Sequence, residues 1–252
     1  MRGLYTTSRR LLSRFNKTRA HWLPQEPELT YTTAQPVTKE TTNLYELLDS
    51  DTERHLCDAK HRNEIRFHTA KLRHILKTPT TAAAEQRQLV LRVYGLRDDY
   101  FNHKDVITFG CGVFDIFHDL PVERSVCVDP TFEEVNNLTT FSTHFPRTDF
   151  HCASWEELPL PDSSFDVGFS HNVLDHVTNP DDCISESVRV LKRNALCYIS
   201  VNLGLGRKPP NYKHPHRFSI ESFEELLHRH MTILSITREG PYAWASLQNS
   251  GA

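Results

Sequence analysis

The stretch from Asp105 to Pro130 limits most what this chain can fold into. Val106 to Phe109 is a short apolar run ending at glycine, the pattern of a strand buried in a parallel sheet. Gly110 and Gly112 follow, where a backbone without Cβ atoms can turn sharply and approach a ligand. Residues 113–119 are expected to start a helix whose free N–H groups face the ligand's anionic end. A second apolar strand, Val126 to Val128, ends at Asp129 and Pro130. A carboxylate at a strand end can accept hydrogen bonds from the two hydroxyls of a ribose; its plainer task would be to cap the residues after it. Strand, Gly-x-Gly, helix, strand and acid together describe a nucleoside-cofactor site. Phe114 stands near the third glycine of the dinucleotide fingerprint, which disfavours a nicotinamide oxidoreductase.

The chain's 252 residues suit one large domain, or one domain with an N-terminal extension. Hydrophobic residues make up 38% and charged ones 24%, as in a globular protein. No apolar run approaches the ~18 residues of a membrane span. The six cysteines include no Cys-x-x-Cys pair and read as reduced, mostly buried thiols of an intracellular protein. The histidines are mostly scattered, and no metal site is expected. Residues 1–25 hold six basic side chains and no acid, so against a formal total of −3 the remainder carries −9. An acidic body argues against a long nucleic acid as substrate.

Three regions follow. Residues 1–42 form a basic arm and a Pro- and Thr-containing linker, expected to be disordered; the Arg-rich, acid-free start also resembles an organelle transit peptide, so a cytoplasmic or a mitochondrial location is open. Residues 43–98 form a helical cap, with helices over 43–76 and 81–95 expected to roof a ligand cleft, their charged faces in solvent. Residues 99–252 alternate strands and helices, the signature of a doubly wound α/β domain. Further strands are expected at 150–153, 165–170 and 196–201. A helix should start at Pro180 and keep Lys192 and Arg193 at its C-terminal end. Residues 203–216 form a long loop, Ser219 caps a helix, and 231–247 close the chain as a β-hairpin.

Three blocks then carry a resemblance over roughly residues 100–247: Val106 to Gly112 with Val128-Asp129-Pro130; Glu156 to Val167; and Ser170 to Val177 followed by Arg189-Val-Leu-Lys192. In this order they resemble the class I S-adenosylmethionine-dependent methyltransferases, type 11-like, and His214 to Ser219 resembles a later segment of that group. The resemblance implies a Rossmann-like seven-stranded sheet with a terminal antiparallel hairpin, and S-adenosyl-L-methionine as cofactor. It places Gly110, Cys111 and Gly112 under the cofactor's methionine part, Asp129 and Pro130 at the ribose, Ser154 and Trp155 at the adenine, and His171 and Asn172 beside the sulfonium. Asp175 and His214 would contact the acceptor, and His176 or His216 would take its proton. Thr108, Phe114 and Ser154 depart from the family pattern at the cofactor site, and Arg193-Asn194 replaces the usual Pro-Gly.

Each assignment has a plainer counterpart. Trp155 could be core, Asn172 a turn cap and His176 a structural histidine. A small-molecule or protein acceptor is expected, because Ser170-His-Asn-Val lacks the motifs of amino-base and cytosine-C5 enzymes. The competing class is a non-catalytic binding or assembly subunit on the same fold. The sequence leaves the oligomeric state open.

Overall fold

The computed structural model describes residues 33, 35–38, 42–74, 79–203 and 209–251. The expectations for residues 1–25, Ile75 and residues 204–208 of the long loop lie outside the described residues. Seven strands form one sheet: β1 (Asp105–Phe109), β2 (Arg124–Val128), β3 (Thr148–His151), β4 (Phe165–His171), β5 (Leu191–Asn202), β6 (Thr232–Glu239) and β7 (Tyr242–Gln248). Their spatial order is β3-β2-β1-β4-β5-β7-β6. β3, β2, β1, β4 and β5 pair in parallel, and β7 runs antiparallel between β5 and β6. The order reverses beside β1, where β2 lies on one side and β4 on the other. A crevice outside the carboxyl ends of the strands opens at such a point.

Packing explains why the strands hold. β1 and β2 are buried after their first residues, as strands between two covered faces must be. One face packs on Phe223, Leu227, Ile184 and Val190 from α4 (Pro180–Val190) and α5 (Ile220–His228). The other packs Phe101, Phe117, Tyr198 and Trp244 with Val90 and Leu91 of α2 (Pro79–Tyr94), while α3 (Phe132–Thr139) links β2 to β3. Each such side chain contributes about 1.5–3 kcal/mol when fully buried. Pro180 opens α4 behind Asn179, whose side chain accepts from the Asp181 N–H. Ser219 caps α5 in a capping box with Ser222.

Several elements differ from expectation. Among the described residues, the first element is a 3₁₀ turn at Tyr45–Leu47, followed by α1 (Ser50–His74). α1 starts where Asp49 Oδ1 accepts the Thr52 N–H at 2.8 Å. No helix forms over 113–119; these residues are turns around an irregular step at Phe114 and Asp115. Val113 to Phe117 are all buried, so the segment has no polar face to give to water. Buried Asp115 also competes for the backbone: its Oδ1 accepts the Phe117 N–H at 2.7 Å. Its Oδ2 accepts the Ser125 and Thr148 hydroxyls at 2.8 and 2.6 Å. The helix N-terminus expected at the glycine turn is therefore absent.

α4 stops at Val190, and Leu191 already belongs to β5. Lys192 thus serves the sheet rather than the helix end: its Nζ lies 3.1 Å from Asp105 and 2.9 Å from Asp166. The pairing of β4 with β5 shifts register between Phe165 and Val167, and Asn194 takes φ +64°. β3 begins two residues before the expected 150.

Candidate active site

A cavity of about 1170 Å³ opens at the carboxyl ends of β1, β2 and β4. Its floor is the glycine turn. The N–H groups of Gly110 and Cys111 both donate to Val128 O, at 2.8 and 3.1 Å, which pins the turn to β2. Gly110 and Gly112 have φ of +66° and +61°, conformations that L side chains rarely adopt. A Cβ at Gly110 would meet Val173 at 2.6 Å, and one at Gly112 would meet His68 of α1 at 2.7 Å. Asp129 is 6% exposed and ties the floor together. Its Oδ2 accepts the Gly112 N–H at 2.8 Å, while Oδ1 accepts the N–H and hydroxyl of Thr131 at 2.9 and 2.6 Å. Asp129 therefore does cap the residues after it, and it also lines the cavity.

Ten of the residues singled out in the sequence line this cavity: Gly110, Cys111, Gly112, Asp129, Pro130, Ser154, Trp155, His171, Asn172 and His176. Burial pushes the Cys111 thiol pKa up, so it stays protonated. Trp155 is mainly core: its ring stacks on Phe109 at 4.9 Å and its Nε1–H donates to buried Ser187. Ser154 is exposed and bonds Glu156, whose other oxygen accepts the Thr178 N–H at 2.7 Å. Where the family pattern has an acid at 154, this chain brings one to the same wall two positions later.

His171 is held neutral, its pKa lowered to about 4 by burial. Its Nδ1 lies 2.5 Å from Ser200 Oγ and its ring stacks on Trp244. Asn172 adopts φ +59°, and its buried Oδ1 has no hydrogen-bond partner among the described residues.

The acceptor-side residues divide. His176 lines the cavity, while Asp175 and His214 stand directly behind it. Asp175 is 1% exposed and its Oδ2 lies 2.8 Å from His214 Nδ1 and 3.7 Å from His176 Nε2. His176 Nδ1 faces Glu64 of α1 at 3.4 Å. Burial opposes a charge on His176, but Asp175 and Glu64 outweigh it and its pKa is raised. Burial likewise opposes the Asp175 carboxylate, and the two histidines outweigh that, so its pKa is lowered. His216 is not among the lining residues. It is buried, with Nε2 3.0 Å from Val177 O and 3.1 Å from Thr178 O, and burial lowers its pKa. It braces the backbone behind the cavity.

Sequence reading missed the α1 wall. Cys57, Lys60, His61, Glu64, Phe67, His68 and Lys71 all line the cavity, so part of this charged face looks inward. Their spacing of three and four was the available signal: a polar stripe on a helix, mistaken for its solvent side. Burial lowers the pKa of Lys60, against the pull of Glu64. Lys71 stands 4.3 Å over the ring of Phe114, the residue in the third glycine's place.

Comparison with known proteins agrees with this geometry. Residues 107–199 match the type 11 family model, a methyltransferase domain. A protein of Mycolicibacterium smegmatis named "Probable S-adenosylmethionine-dependent methyltransferase" is 29% identical over 132 residues, 49% of this chain and 50% of that protein. A Mycobacterium tuberculosis protein of the same description is 28% identical over 133 residues, 49% of this chain and 47% of its own. The chain thus spans about half the length of the curated relatives it matches. Among solved structures, the N-methyltransferase NodS of Bradyrhizobium japonicum, in complex with S-adenosyl-L-homocysteine, superposes with TM-score 0.53 at 13% identity, covering 75% of this chain and 98% of that one. The [4+2]-cyclase SpnF superposes with TM-score 0.54 at 17% identity, covering 68% and 82%. These likenesses show the fold. Over residues 107–199 the chain is thus similar to the methyltransferase domain of that family, and about half of it is similar to proteins named as S-adenosylmethionine-dependent methyltransferases.

Proposed function

We propose that this chain transfers the methyl group of S-adenosylmethionine to a small-molecule or protein acceptor bound against His176. One arrangement carries the reading: a single cavity has a glycine turn and Asp129 at one pole and the Asp175–His176–His214 cluster at the other. The residues fit the cofactor. Gly110 and Gly112 let the turn lie tight under Val173 and His68 at the cavity floor, and Asn172 presents a buried oxygen with no partner among the described residues. Asp129 would hold the ribose, Glu156 and Ser154 the adenine amino group, and Gly110 to Gly112 the methionine part.

The cofactor supplies an electrophilic methyl group on a sulfonium. The protein's contribution is then mostly placement. His176 receives the proton that the acceptor gives up, and Asp175 and Glu64 stabilise the imidazolium that results. Neutral His171 leaves no positive charge beside the sulfonium. The test is radiolabelled methyl transfer into fractionated small molecules and proteins, by wild type and by His176→Ala. Label incorporated by the wild type and lost in the variant supports the proposal. Equal incorporation by both would remove His176 from the reaction.

A further inference from the structure

We infer that Asp175, His176 and His214 form a site for one divalent transition-metal ion of the Zn²⁺ type. The inference deepens the acceptor side of the proposed function and rests on that reading only for the ion's use, not for its binding.

The three side chains each offer a donor atom, and these atoms all lie within 4.8 Å of one another. Bonds of ~2.0 Å in a tetrahedral site put donors about 3.3 Å apart. The observed 2.8 Å from Asp175 Oδ2 to His214 Nδ1 and 3.7 Å to His176 Nε2 bracket that value. The second observation is Asp175 itself. It is 1% exposed, and its Oδ1 has no hydrogen-bond partner among the described residues. A buried carboxylate with one oxygen unmatched costs free energy, and a cation held on Oδ2 offsets part of that cost by neutralising the group's charge.

The outer contacts agree. With Nε2 given to the ion, the Nδ1 of His176 remains to donate to Glu64 Oε1 at 3.4 Å. A carboxylate behind a ligating imidazole fixes its tautomer and raises its basicity. Two nitrogens and one carboxylate select a borderline ion over Mg²⁺ or Ca²⁺, which take oxygen. Three protein ligands leave a position open, as catalytic zinc sites do. Of the three, His176 lines the cavity, so an acceptor would reach the ion past its ring. A coordinated acceptor hydroxyl or amine would lose its proton more readily. Metal loading would thereby move that task from His176 to the ion.

The test is calorimetric titration of the full chain with ZnCl₂ after chelator treatment and dialysis, with MgCl₂ for comparison. One Zn²⁺ per chain is expected, with no matching Mg²⁺ isotherm. His214→Ala should weaken the Zn²⁺ isotherm at least about a hundredfold, and Glu64→Gln about tenfold. His216→Ala should leave it unchanged. Glu64→Gln keeps the shape of the site and serves if His214→Ala fails to fold. Cobalt substitution should give a visible d–d band that is lost in His214→Ala and that takes about tenfold more cobalt to develop in Glu64→Gln. Equal Zn²⁺ affinity in wild type, Glu64→Gln and every folded ligand variant would overturn the inference and leave a hydrogen-bonded cluster. Because the readout is metal binding, a failure of methyl transfer would not be confused with it.

Discussion

The two poles of the cavity are built in opposite ways. The glycine-turn pole is made of backbone and one short-range carboxylate: Gly110, Cys111, Gly112, Val128, Asp129 and Thr131 are joined by five hydrogen bonds of 2.6–3.1 Å within a few strand ends. The His176 pole is made of long side chains from three distant segments, α1, the loop after β4 and the segment after β5. The first is rigid and chemically quiet. The second is titratable, with a buried carboxylate and a half-buried imidazole whose pKa values move in opposite directions. A site of this kind separates the task of holding a ligand from the task of handling a proton.

Variants that separate the poles test that division. The largest effect is expected from His176→Ala, which should slow methyl transfer about 10²–10⁴-fold. The same variant should leave S-adenosylhomocysteine affinity within about twofold. A matched loss of affinity would mean that the poles are not separate. His216→Ala should differ from it by losing stability rather than turnover, since His216 bonds the backbone at Val177 and Thr178.

Next comes a pH effect at His171, on the seam between the poles. Its folded pKa of about 4 lies below the ordinary 6.5, so the unfolded chain binds a proton that the folded chain refuses. This contribution is complete above pH 6.5 and is lost as pH falls toward 4. For a partly buried group the loss is up to about 3 kcal/mol. Urea denaturation of wild type and His171→Gln at pH 7 and pH 4.5 would read it. Equal acid sensitivity in both proteins would show that other groups govern that window.

Asp129→Ala should weaken S-adenosylhomocysteine binding at least about tenfold. It should also cost about 1–3 kcal/mol of stability, because the Gly112 and Thr131 donors lose their acceptor. Stability lost with affinity retained would leave Asp129 as a cap alone. The smallest effect is a control outside both poles: Ser219→Ala removes a helix cap and should cost about 1 kcal/mol in denaturation, with affinity and turnover intact.

How far each pole could be read beforehand follows from its construction. The glycine pole lies within one contiguous stretch, so spacing alone located Gly110, Gly112 and Asp129. Even there a helix was expected over 113–119 where turns occur, because burial of Val113 to Phe117 and the grip of Asp115 on Ser125 and Thr148 are tertiary facts. The early start of β5 was hidden for a similar reason, since Lys192 is recruited by Asp105 and Asp166 of two other strands. At the other pole Asp175, His176 and His214 were legible as polar residues beside strand ends. Their mutual contacts were not, and Glu64 was invisible because the side of α1 that faces the cavity depends on how the helix docks. His216, two residues from His214, meets the backbone of Val177 and Thr178 instead of the cluster, and nothing in the local sequence distinguishes the pair.

The central claim is that the glycine-turn pole holds S-adenosylmethionine. Calorimetric titration of the full chain with S-adenosylhomocysteine, alongside a melting curve, tests it most directly. The account predicts saturable binding of one ligand per chain and a rise in melting temperature, about 2.7 kcal/mol of added stability at a hundred times the dissociation constant. No heat and no shift at millimolar ligand would contradict it.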